Sequence, residues 1–154
     1  MNLHLQFSPT PENAKKHAQL AADAAWNVDH VKLDYSPQSL AEVDRIIGGF
    51  HSEGLTSEQV GSTVFAFGCY VGEVFVRHQG AKWKMPQEAK LPDFLTEDNN
   101  MMCVELPNGN VWNPIGKAFN LLENGQSDSV SYFYHVATKD NVRGPHRPWW
   151  KFWK

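Results

Sequence analysis

The sequence predicts one α+β domain over residues 1–142, with a central buried helix packed by further helices and a small antiparallel sheet. A basic, aromatic C-terminal tail, 143–154, follows it. Three observations carry that prediction. The stretch 56–83, TSEQVGSTVFAFGCYVGEVFVRHQGAKW, is apolar at helical intervals and is interrupted by Gly80. Thr10-Pro11, Ser36-Pro37 and Asn113-Pro114 each place a capping side chain before a proline, a combination suited to the first turn of a helix. Asn108-Gly109, between two apolar runs, is a hairpin turn signal. With 154 residues, 42% of them apolar, including nine Phe and six Trp, the chain can bury a real core.

Thr10-Pro11 opens PENAKKHAQLAADAAWNV, whose alanines give it strong helix propensity. Leu20, Ala24 and Trp26-Asn27 mark its inner side loosely. Ser36-Pro37 starts a second helix with Leu40, Val43, Ile46 and Ile47 on one face. Gly48-Gly49 weakens its last turn and Gly54 closes it. Thr56 then caps the central helix, 56–79, with Gln59 at the capping-box position. Val60, Val64, Phe67, Val71, Val74 and Phe75 recur at helical spacing, and Phe65 and Tyr70 widen the apolar surface. Gly61, Gly68 and Gly72 each cost about 1 kcal/mol of helix stability relative to Ala, which points to close approach by another backbone.

Strands are expected at 81–85, 101–106 and 110–112, with Trp83 and Trp112 anchoring the sheet. The polar, proline-broken segment 86–100 reads as a long loop. Asn113-Pro114 begins a further helix that Asn124-Gly125 ends. Residues 128–138 fit either a helix capped by Ser127 or Asp128, or a strand SVSYFYHV.

The formal charge of −3 hides an asymmetry. Residues 143–154 hold Arg143, Arg147, Lys151 and Lys154 and no acid, so residues 1–142 keep ten basic and seventeen acidic side chains, a formal −7. An acidic body disfavours nucleic acid, whose phosphates need clustered cations. Cys69 and Cys103 each lie in an apolar run and read as reduced, core-filling thiols. Neither a secretory signal nor a membrane-length apolar run, about 18 residues, is visible, so the cytoplasm is the expected location.

Candidate chemistry is sparse. Glu73 is a lone carboxylate among Val71, Gly72, Val74 and Phe75. It could be a general acid or base working with His78 or His135, but the favoured reading is a structural ion pair or a hydrogen bond to a neighbouring backbone. The seven histidines are scattered, with no i,i+4 pair to hold a metal on one helix. His51 and His78 read as dipole partners near helix C-termini. No Gly-x-Ser-x-Gly elbow and no Gly-rich phosphate loop occur, so neither a catalytic set nor a cofactor or metal is expected.

Two segments look like contact surfaces. Asp93, Glu97 and Asp98 surround Phe94 and Leu95 in the loop, which suits a basic protein partner. In the tail, Trp149, Trp150, Phe152 and Trp153 alternate with lysines, a composition that suits a membrane interface, a partner or an apolar groove of the domain.

Tyr70-Val71-Gly72-Glu73, Gly80-Ala81-Lys82-Trp83 and Val111-Trp112-Asn113-Pro114, continued by Asn124-Gly125 and Asp128-Ser129-Val130, resemble the recurring pattern of a loose group of small bacterial proteins without an assigned biochemical activity. The resemblance covers roughly residues 33–137 and assigns no catalytic residue. By analogy with small acidic immunity proteins it implies a non-catalytic protein that binds and neutralises a toxin, with a basic toxin domain as partner. The alternatives are a small acid/base enzyme built on Glu73 and a membrane-surface accessory protein acting through the tail.

Overall fold

The apolar run after Thr56 forms the helix its spacing predicts, and the rest of the chain is arranged around it. The computed structural model describes residues 3–89 and 101–142. Its helices are α1 (Ala14–Asp29), α2 (Leu40–Ser52), α3 (Ser57–Gln79), α4 (Pro114–Asn124) and α5 (Val130–Val142), and its strands are β1 (Lys82–Lys84), β2 (Cys103–Glu105) and β3 (Val111–Trp112). This is the expected α+β architecture, with α3 buried from Val64 through Phe75. By length and composition α3 could cross a membrane, yet most of it is enclosed by the other elements.

Local chemistry sets the helix ends. Gln59 Oε1 accepts the Thr56 N–H at 2.9 Å in a capping box, and Gly80 closes α3 at φ 68° with its N–H on the Phe75 carbonyl. Two of the three prolines act one step earlier than a plain helix start would require. Pro11–Asn13 and Pro37–Ser39 are short 3-10 turns leading into α1 and α2, whereas Pro114 opens α4 directly, with Asn113 Oδ1 accepting the Gly116 N–H at 2.9 Å.

The sequence reading sets the helices that begin at Pro37 and Pro114 against the central helix, and the packing differs from it in one respect. The main neighbours of α3 are α1 and α4, while α2 lies chiefly against α4 and α5. The buried side of α1 is Ala14, His17, Ala18, Ala21, Ala22 and Ala25; Leu20 is only half-buried and Trp26 is 53% exposed. Small side chains let the two helices approach closely, and a reading that follows large apolar residues overlooks them. On the other flank Gly68 admits α4: a Cβ there would stand 2.6 Å from Ile115 Cα. Gly72 has a different cause, because its missing Cβ makes room for the Trp83 indole rather than for backbone.

The sheet has the order β1-β2-β3, all antiparallel. Its register pairs Trp83 with Val104 and Val104 with Trp112, so these three side chains share one face. Trp83 packs on α3, and Trp112 lies edge-on to Phe133 of α5 at 5.6 Å between ring centroids. Lys84 Nζ meets Glu105 Oε1 at 2.8 Å across the β1–β2 pair. Segment 130–142 is helix, not strand: Val130, Phe133, Tyr134 and Ala137 fall at i, i+3, i+4 and i+7 and are buried together.

Candidate functional site

Two places bear on function, one at each end of α3. The first surrounds its C-terminal half, where the sequence singles out Glu73. This carboxylate is 2% exposed, and its Oε2 accepts the Trp83 indole N–H at 2.9 Å. Among the described residues Oε1 has no hydrogen-bond partner. The bond ties the sheet to α3, and the orphan oxygen makes the burial costly.

The neighbours of Glu73 are also tied to the fold. Tyr35 has a left-handed backbone at φ 64°, a conformation that costs a bulky residue about 1–3 kcal/mol. Its N–H donates to Tyr70 Oη at 2.7 Å, and its carbonyl accepts from His78 Nε2 at 2.8 Å. Ser39 Oγ gives its proton to the Ser36 carbonyl at 2.6 Å, so at 2.7 Å from Tyr70 Oη it must be the acceptor and the tyrosine the donor. The Arg77 guanidinium lies 3.5 Å from the centroid of the Tyr35 ring. Burial raises both phenols above their ordinary range.

The two cysteines, His17, His51 and His78 are likewise bound up with structure. Burial pushes the Cys69 thiol well up, reinforced by the charge of Glu73 one turn on, and pushes Cys103 up to about 12; both stay protonated and un-nucleophilic at neutral pH. His51 Nδ1 donates to the Leu122 carbonyl at 2.9 Å and His17 Nε2 to the Ser8 carbonyl at 3.1 Å. Thus His51 and His78 bridge separate elements instead of serving only the dipoles of their own helices. His135 is exposed. Among the described residues no group of three or more His, Cys, Asp or Glu is placed to hold a metal ion. Asp93, Phe94, Leu95, Glu97 and Asp98, and likewise Trp149, Trp150, Phe152 and Trp153, lie outside the described residues.

Asp44 was not singled out in the sequence, although it interrupts the apolar stripe Leu40, Val43, Ile47 at a position that the same stripe buries. It is 8% exposed and caps α5 from another helix. Its Oδ1 accepts the Val130 N–H at 2.7 Å, and its Oδ2 accepts Ser129 Oγ–H at 2.6 Å and the Ser131 N–H at 3.3 Å. A carboxylate inside an apolar helical stripe was the available signal.

The second place is an open groove beside the N-terminal half of α3, a cavity of about 470 Å³ between α1 and α2. Val28 of α1 faces Ile46, Gly49 and Phe50 of α2, and Phe67 of α3 lines it with them. Asp29 and Glu53 are its acidic members. Nothing in the sequence pairs α1 with α2, so this surface could not be read from spacing.

Comparison with known proteins adds no identity: no family model, no curated protein and no solved structure matches the chain.

Proposed function

We propose that this chain is a non-catalytic bacterial protein of the cytoplasm that binds another protein, neutralising a toxin whose contact domain is basic. The observation that supports this reading most is where the core's reactive groups are spent. Glu73 holds Trp83, Asp44 holds α5, His17 holds a backbone carbonyl, and both thiols are inert. A domain that uses its buried polar groups in this way presents its surface, and residues 1–142 carry a formal −7 with which to attract a basic partner.

The test is affinity purification from the native cell followed by calorimetry with the captured protein. The expected result is a basic partner whose association weakens as salt rises. One observation favours the rival acid/base enzyme: Glu73 Oε1 is buried without a donor. A Glu73→Gln protein that folds normally, has lost a measurable turnover and captures no partner establishes the rival instead.

A further inference from the structure

The groove between α1 and α2 has a feature that the fold does not require. Gly49 lies inside α2, where a glycine costs helix stability, and a Cβ added there would meet nothing within 4 Å. Its neighbour Gly48 is different, since a Cβ there would run into the Gln126 amide. Packing therefore bears on Gly48 and not on Gly49, which lines the open groove. Around it are apolar groups left facing solvent. Val28 is 77% exposed, and Ile46 and Phe50 are half-buried.

The charges beside the groove decide what kind of occupant fits. Among the described residues Asp29, Glu42 and Glu53 stand against one cation, Arg45, which already meets Glu42 at 2.8 Å and Asp29 at 3.7 Å. The local balance is negative, and Glu53 forms no ion pair with a described residue. An anionic membrane surface is repelled by such a rim. A second copy of this chain docked groove to groove would set acid against acid. A protein segment that carries Lys or Arg around a bulky apolar side chain satisfies both the groove and its rim.

We infer that this groove is the docking site for such a segment of the partner: an aromatic or branched apolar side chain seats beside Gly49, between Val28 and Phe50, while flanking cations reach Asp29 and Glu53. The inference rests on the protein-binding reading and locates it on the described surface. It gives Gly49 a role as the residue that keeps the seat empty, because any larger side chain there would project into the space the partner needs.

The full chain, isotopically labelled, is titrated by NMR with a short synthetic peptide in which Trp and Leu are flanked by Lys and Arg, and with a counterpart carrying Glu in place of the cations. The expected result is saturable shifts at the amides of Val28, Ile46, Gly49 and Phe50 with the basic peptide only, weakening with salt. Gly49→Leu should reduce that affinity about ten-fold or more. Val28→Lys, at an exposed position that cannot unfold the domain, should do the same. Shifts scattered over the surface, equal binding of the acidic peptide, or unchanged affinity in both variants overturns the inference. So does a groove already filled in the free protein, whether by residues 143–154 or by a second copy; a spin label on the C-terminus and sedimentation over a range of concentrations read those two outcomes. The two readings fail separately. If a captured partner binds both variants as tightly as the parent, the groove is wrong and protein binding stands. If no protein partner exists, protein binding fails, while the peptide titration still reports on the groove.

Discussion

The two ends of α3 have been put to opposite uses. Around Tyr70 and Glu73 the helix is enclosed, and hydrogen bonds with Tyr35, Ser39 and Trp83 fasten neighbouring segments to it. Around Phe67 it borders a groove in which α2 carries a glycine where nothing packs. The difference teaches where to look for function in a small domain. Buried polar groups attract attention because burial is costly, yet here they are spent on holding the fold. The open end keeps apolar surface that the fold could have covered.

The comparison is broken most forcefully at the closed end. Gly68→Ala forces a methyl against Ile115 Cα, backbone that cannot rotate away, and should cost about 2–3 kcal/mol in urea unfolding. A cost below experimental error would mean that α4 slides freely on α3. Trp83→Phe should cost about 3 kcal/mol, because it leaves the Glu73 carboxylate buried with no donor at all. Glu73→Gln, which keeps an acceptor for the indole, should cost about 1 kcal/mol. If the order of these two variants is reversed, the carboxylate is not there to serve Trp83.

Asp44→Ala removes the cap of α5 and strands the Val130 N–H, for about 2 kcal/mol, with the loss of protection in hydrogen exchange concentrated in the first turn of α5. A smaller effect, about 0.5–1 kcal/mol, belongs to the Lys117–Asp128 pair, which meets at 2.6 Å. Hydrogen bonding from Lys117, then from Asn124, holds the Asp128 carboxyl below its ordinary value. A depressed carboxylate contributes stability that is fully present above its unfolded-state range and is lost as pH falls through the folded value. Comparing the parent with Lys117→Ala should therefore show a stability gap at neutral pH that closes in acid; a gap that persists there would assign it to packing.

Gly49→Ala is the smallest change and the one that sharpens the contrast. With no clash and a better helix former, it should stabilise the domain by about 0.5–1 kcal/mol. A destabilised Gly49→Ala protein would show that the glycine serves the fold after all. Gly68→Ala and Gly49→Ala are the same substitution in two helices of one molecule, and opposite signs are expected because only one of the two glycines is in contact with backbone.

How much of this was readable follows a physical division. The helices, their caps and the hairpin were legible because each depends on chemistry within a few residues: Thr56 with Gln59, Asn113 with Pro114, Asn108 with Gly109, and the apolar period from Val60 to Phe75. The burial of Glu73 was legible for the same reason, as was the expectation that its carboxylate is hydrogen-bonded. Helix or strand over 128–138 stayed open because alternating and helical periods overlap in SVSYFYHV, and burial of Val130, Phe133, Tyr134 and Ala137 on one side decided it. Partners distant in sequence were beyond reach. Asp44 finds α5 86 residues later at Val130, His51 finds Leu122 71 residues away, and the groove exists only because α1 and α2 border the same helix without closing against each other. Sequence by itself determined the elements and the apolar faces, since hydrogen bonding and period act locally. Tertiary structure alone decided which small residues meet backbone, which carboxylate caps which helix and which surface stays open, because those outcomes depend on how separate elements fill space together.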